Sequence, residues 1–383
     1  MGNRIKDIML KFLFARIYNG RERLMVSEKQ LSLKRTVPLL LVGILIFVVY
    51  LHFFVGIPDM LAIIQGVDLL YYALAAVVLL LNTVTNSLTW QFFLHSLKIK
   101  IQFRKTFLFT LVGVFVDLLV PAESISGDAT KSYLMTKGSG EKAGKVLASV
   151  VSHRILSMII PLGSLIFSLI FLHVLGIGVK VEALVLILVV TVGITISLCF
   201  IFLFSFKEKL TQRLIDVILR FVDFVTRRRL NIESIRASLI KGLSAFHDSI
   251  DTLRRNPRNL VPPILSELGA WFLSILLSYL VFVSLGQQID FFIIIIVHSV
   301  SVSIQSIPVG IPGDVGFVDT AMAWLYGLLA VEDTVGAAAT VLIQILRVWL
   351  RIVIGFVAVQ FVGIRNLMKG LRQTSLSPNS NES

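Results

Sequence analysis

Residues 307–320 read IPVGIPGDVGFVDT, two prolines, three glycines and two aspartates set into one of the most apolar regions of the chain. FFIIIIVHSVSVSIQS (291–306) precedes the interruption and AMAWLYGLLAV (321–331) follows it. Neither arm has the about 20 apolar residues that cross a hydrocarbon core. Backbone broken at membrane depth survives only where protein or a water-filled cavity covers its freed polar groups. Such Gly/Pro-interrupted segments also mark binding sites in transporters. A proline-kinked helix or a plain loop is the simpler reading of this stretch alone, and a second copy elsewhere argues against it.

Hydrophobic residues make up 56% of the 383 positions, with a mean hydropathy of +0.87. That composition belongs to a polytopic membrane protein, and runs this long and unalternating belong to helices rather than a barrel. Cys199 is the sole cysteine, so no intramolecular disulfide forms, and no Cys/His spacing resembles a metal site. No metal and no cofactor are expected.

The net charge of +13 is distributed between spans rather than gathered into a nucleic-acid face. Alternate loops (1–35, 95–106, 137–145, 207–259 and beyond 364) hold 31 Lys and Arg, whereas the opposite loops hold only Lys180. By the positive-inside rule both termini are cytoplasmic, and a cell-membrane location with no nucleic-acid partner is expected. Lys131, Arg154, Arg347 and Arg351 remain in or near the membrane.

Read in order, 1–36 is a basic amphipathic segment suited to the membrane interface or to targeting. Pro38–Ile57 is a first span. Leu69–Leu94 is a second, striped by Asn82, Asn86 and Trp90 at helical spacing; such asparagines bond a neighbouring helix or line a pathway. A first broken hairpin covers about 107–136, with a short apolar arm, Phe107–Val120, running into PAESISGDATKSY (121–133). Val146–Leu175 and Val181–Phe206 are further spans. Residues 207–259 form cytoplasmic amphipathic helices, packed on themselves or lying on the headgroups. Leu260–Leu285, the second broken hairpin (about 291–331) and Val335–Ile364 make the second membrane half, and 365–383 is a polar, disordered tail.

The two interruptions align. VPAESISGDA carries Pro121 and Gly127-Asp128; IPVGIPGDVG carries Pro308 and Gly313-Asp314. Each follows one full span and precedes a span bearing a buried arginine, Arg154 or Arg347. The charge pattern gives the two units opposite orientations. The fold expected is therefore an all-α helical bundle with two re-entrant hairpins in an inverted-topology repeat.

Arg347 and Arg351 lie one turn apart near the middle of a long helix, where an uncompensated charge costs about 2.5–3.5 kcal/mol on insertion scales. Two compatible readings follow. The arginines pair with Asp314, Asp319, Asp128, Glu123 or Glu267, or they bind an anionic headgroup, whose phosphate matches the guanidinium fork and the N–H groups of half-helix ends. His153 reads as a packed polar residue, and Asp117 as either a relay carboxylate or a partner of Arg154. No Walker A loop, catalytic triad or nucleotide fingerprint is present, so no enzymatic activity is expected.

At these residues the chain resembles the lysylphosphatidylglycerol synthase transmembrane-region family, also called flippase-like domain proteins. PAESISGDATKSYLM keeps the family's Gly127, Asp128 and Tyr133, with Lys131 for an arginine and Ser126 for a glycine. SVVSHR keeps Arg154, with His153 in place of an acid. PGDVGFVD keeps Pro312, Gly313, Gly316 and Asp319, and Arg347 matches the arginine of the last span. The resemblance covers roughly 37–364. It implies movement of lipids between leaflets, among them aminoacylated or glycan-bearing lipids, sometimes with a fused synthase or glycosyltransferase, which is not expected in this chain. The ligand expected is an anionic lipid or polyprenyl phosphate, held by Arg154, Arg347, Arg351, Gly127, Asp128, Lys131, Gly313, Asp314 and Asp319. The alternatives are transport of a small soluble anion, or a membrane scaffold or enzyme partnering a lipid synthase.

Overall fold

A computed structural model describes residues 57–120, 125–174, 180–225, 232–305 and 311–362, with isolated positions between 41 and 53. The expected amphipathic segment 1–36, most of the first span, Pro121, Glu123, Pro308 and the tail lie outside the described residues.

Twelve helices make up the described chain: α1 Ile57–Gln65, α2 Leu69–Ser96, α3 Phe103–Leu119, α4 Ile125–Ser139, α5 Ala143–Val174, α6 Val181–Phe206, α7 Glu208–Val225, α8 Ile232–Arg255, α9 Val261–Ser284, α10 Phe291–Gln305, α11 Phe317–Leu328 and α12, which opens as Asp333–Gln344 and continues to Val362. Among the described residues there is no strand. Five helices are long and apolar enough to cross a bilayer: 69–96, 143–171, 181–206, 257–284 and 333–362. The chain is an all-α polytopic membrane protein. One stretch departs from expectation, because the connection between the spans expected at Pro38–Ile57 and Leu69–Leu94 includes helix α1. Pro58 and Asp59 suit its first turn, and Met60 is buried.

Helices α2 and α9 run antiparallel along their whole length. Asp68 N–H donates to the Ser284 carbonyl at 2.7 Å, Asn82 Nδ2 to the Ala270 carbonyl at 2.6 Å, and Ser96 Oγ to the Asn259 carbonyl at 3.0 Å. Thr89 Oγ1 meets Ser266 Oγ at 3.0 Å between them. Other helices pack in pairs as well. α5 packs on α10, through Ser164 and Ser299 (3.1 Å) and the stacked rings of Phe171 and Phe292 (4.2 Å). The second half of α12 packs on α3, where Gly355 gives room to Phe115 and Phe115 meets Phe356 at 6.3 Å.

Two apolar cores result. One gathers the N-terminal half of α2 (Ala75, Val78, Leu79), Met158 and Leu165 of α5, α6, α9, α10, α11 and α12 up to Leu346. The other gathers Trp90 to Leu97 of α2, α3, α4, Val146 to Val150 of α5, α8 and Ala358 of α12. Three long helices cross from one core to the other, and each carries polar or charged residues at the crossing. On α2 Asn82 lies between Leu79 and Trp90; on α5 His153 and Arg154 lie between Val150 and Met158; on α12 Arg347 and Arg351 lie between Leu346 and Ala358.

Candidate functional site: a polar seam between two cores

In the first hairpin, α3 and α4 cross at two glycines. A Cβ on Gly127 would stand 2.5 Å from the Gly113 carbonyl and inside the carboxylate of Asp117. Only glycine permits that approach. It lets Asp117 Oδ1 accept from Gly127 N–H (2.6 Å) and Ser126 Oγ (2.8 Å), so an acid from one arm caps the N-terminus of the other. Asp117 is thus the cap of α4, and no ion pair joins it to Arg154 among the described residues. Asp128 pairs with Lys131 at 2.7 Å, and the ammonium sits 5.5 Å from the centroid of Trp90. Trp90 in turn donates to Ser149 Oγ at 3.0 Å.

The second hairpin solves the same problem within one segment. Gly313 (φ 62°), Asp314 (φ 47°) and Gly316 (φ 87°) all take left-handed backbone, which two glycines make affordable. Gly316 N–H donates to Asp319 Oδ2 at 2.8 Å, capping α11, while Asp319 Oδ1 is buried without a hydrogen-bond donor among the described residues. Asp314 and Asp319 are 0% and 1% exposed. The two hairpins meet, because a Cβ on Gly313 would lie 3.5–3.6 Å from the Leu118 side chain and carbonyl at the end of α3.

Arg347 lies within a π-helical turn, Ile345–Leu350, a widened turn of a kind frequent at functional sites. Its Nη2 stands 2.6 Å from His298 Nδ1. A guanidinium can only donate, so Nδ1 is the acceptor and the imidazole is neutral with its proton on Nε2. Arg351 Nη2 donates to Asn82 Oδ1 at 3.2 Å, and its Nε is buried without a hydrogen-bond partner among the described residues. Asn82 Nδ2 is spent on the Ala270 carbonyl and on Ser274 Oγ (2.9 Å), so one amide ties α2, α9 and α12. The expected interhelix role of Asn82 is met, whereas the carboxylate partners expected for Arg347 and Arg351 are replaced by His298 and Asn82. A lone histidine in the apolar run 291–306 was the available signal for the first.

Arg154 is half-buried and has no side-chain partner among the described residues. The α5–α10 register set by Ser164 and Ser299 places it about one turn beyond the end of α10 at Gln305. Its neighbour His153 is packed beside Phe93 and stands 3.4 Å from Glu267 Oε2 on α9, which takes up the other acid. Among the described residues, no carboxylate lies within ion-pair distance of Arg154, Arg347 or Arg351. Nor do His, Cys, Asp and Glu gather there into a metal-holding group.

Asn82→Leu tests the seam's architecture. It removes three interhelical bonds and strands Arg351, and the expected cost is about 1–2 kcal/mol in thermal unfolding of the purified protein. Leu88→Met on the same helix serves as the neutral control. A change within error for Asn82→Leu would show that Asn82 does not hold the three helices together.

A sequence profile described as the lysylphosphatidylglycerol synthase TM region matches residues 40–355. A UPF0104 membrane protein of Pyrococcus horikoshii is 25% identical over 324 residues, 84% of this chain and 95% of that protein. Similar proteins from Methanothermobacter thermautotrophicus (24% identical, 77% of this chain and 86% of theirs) and Methanocaldococcus jannaschii (21%, 85% and 94%) are also described as UPF0104 membrane proteins. No solved structure matches the chain.

Proposed function

Because the chain belongs to the lysylphosphatidylglycerol synthase TM-region family, we propose that it moves a phosphate-bearing anionic lipid between leaflets, holding the headgroup in the seam between its two cores. One observation carries this reading: Arg154, Arg347 and Arg351 enter the seam with no carboxylate in range among the described residues. Three cations at that depth are expensive until an anion joins them. Neutral partners orient Arg347 and Arg351 without quenching their charge, leaving guanidinium donors for a phosphate.

In this reading the packing of α5 on α10 and of α12 on α3 reflects an inverted repeat. Rocking one unit against the other would present the seam to each leaflet in turn. No nucleotide-binding fingerprint is present in the sequence, so the movement is downhill or ion-coupled, and the protein acts as a transporter rather than an enzyme. The expected setting is the cell membrane, with both termini cytoplasmic.

The test is a leaflet-exchange assay in liposomes with fluorescent phosphatidylglycerol, phosphatidylcholine and polyprenyl-phosphate analogues. Acceleration over empty liposomes is expected for the anionic lipids. No acceleration for any of them would overturn the proposal. Stabilisation of the protein by inorganic phosphate, with no lipid movement, would instead identify a carrier of soluble anions.

A further inference from the structure

Helix α7 differs from its neighbour α8 in what its surface offers. Only Lys207 separates it from the end of α6 at Phe206, and Thr211 Oγ1 fixes the turn by donating to the Phe204 carbonyl at 2.7 Å. Its sequence, EKLTQRLIDVILRFVDFV, then divides at 100° per residue into three arcs. Buried Leu219 and partly buried Thr211 and Ile215 lie on the first. Lys209, Arg213 and Arg220, all exposed, lie on the second. Leu210, Leu214, Val217 and Ile218 form the third and are 39%, 40%, 61% and 51% exposed.

The neighbouring α8 supplies the contrast. It buries Leu243, Phe246, Ile250 and Leu253, with Gly242 backed against Gly144 of α5, and turns Lys241, Asp248, Asp251 and Arg254 outward. Its outward face suits water. The outward face of α7 does not, and it continues the apolar surface of α6, whose last turns expose Phe202, Leu203 and Phe206. Arg236 of α8 fastens the two helices, with Nε 2.8 Å from Asp216 Oδ1. The basic arc lies about a quarter-turn from the apolar one, the spacing at which Lys and Arg reach headgroup phosphates while neighbouring side chains enter acyl chains.

We propose that α7 lies in the plane of the membrane interface and docks on anionic lipid. Leu210, Leu214, Val217 and Ile218 would be immersed, and Lys209, Arg213 and Arg220 would contact the headgroup phosphates. This lipid surface is separate from the seam and stands whether or not the protein moves lipid.

The experiment uses the full chain in nanodiscs with Cys199→Ser as background. Spin labels at Leu214→Cys and Val217→Cys are expected to be accessible to oxygen and shielded from a water-soluble nickel complex. A label at Asp248→Cys on α8 is expected to show the reverse. A fluorophore at Val217→Cys is expected to be quenched more by brominated phosphatidylglycerol than by brominated phosphatidylcholine. Replacing Lys209, Arg213 and Arg220 with Gln should reduce that preference, by roughly fivefold per residue at low salt. Nickel access at Leu214→Cys would overturn the proposal, as would labels there shielded from both reagents, the sign of a protein partner or a second copy. An unchanged lipid preference in the Gln variant would remove the phosphate contacts.

Discussion

Arg347→Met is expected to leave the unliganded protein nearly as stable as the wild type and to abolish the stability that anionic lipid adds. Removing one member of a buried ion pair strands the other charge and costs about 3–5 kcal/mol. Arg347 has no such partner among the described residues; it donates to a neutral imidazole, His298 Nδ1, at 2.6 Å. Its loss leaves one buried acceptor unmet, worth about 1–3 kcal/mol, and relieves the seam of a charge that was itself costly. A ligand that binds only the native state stabilises by about 2.7 kcal/mol at a hundredfold excess over its dissociation constant. Thermal unfolding across a titration of phosphatidylglycerol into phosphatidylcholine micelles separates the two effects. The wild-type melting temperature should rise with the anionic fraction and the variant's should not. A variant much less stable without lipid, yet still raised by it, would make Arg347 a structural residue.

Gly127→Val is expected to have the largest effect on folding of any single change in the first hairpin. Its Cβ has no space between the Gly113 carbonyl, which is backbone, and the Asp117 carboxylate, which Gly127 N–H and Ser126 Oγ hold in place. Forcing α3 and α4 apart costs about 1–3 kcal/mol for overpacking, and displacing Asp117 removes the cap of α4 for about 0.5–2 more. The separation would also disturb the Leu118 end of α3, against which Gly313 of the second hairpin rests. Thermal unfolding and detergent-extracted yield read the loss. Gly163→Ala, where a Cβ meets nothing within 4 Å, is the control and should be neutral or slightly stabilising. Full stability in Gly127→Val would contradict the packing described for this hairpin.

How much of this was legible in the sequence depends on the kind of signal. The membrane helices were, because some 20 apolar residues have few other fates, and the span expected at 69–94 is observed at Leu69–Ser96. The breaks were legible for the opposite reason: Gly313 and Gly316 take backbone that few other residues accept, and they stand out against an apolar run. That Arg347 and Arg351 occupy costly positions also followed from their place near the middle of a long helix. What they touch did not. Opposite charge suggested Asp314 or Asp319, but Asp319 caps α11, and neither forms an ion pair with an arginine among the described residues. His298 and Asn82 lie 49 and 269 residues away from their arginines, on helices whose facing depends on packing rather than on local pattern. The division into two cores was hidden as well, since Leu79 and Trp90 look alike as apolar positions until α3 and α4 gather around the second.

The central claim is that the seam holds an anionic headgroup with Arg154, Arg347 and Arg351. Native mass spectrometry of the protein released from mixed phosphatidylglycerol and phosphatidylcholine micelles tests it most directly. The wild type is expected to retain phosphatidylglycerol preferentially, and the variant with all three arginines changed to Met to retain the two lipids alike, with α7 unaltered in both. An undiminished preference for phosphatidylglycerol in the triple variant would contradict the account.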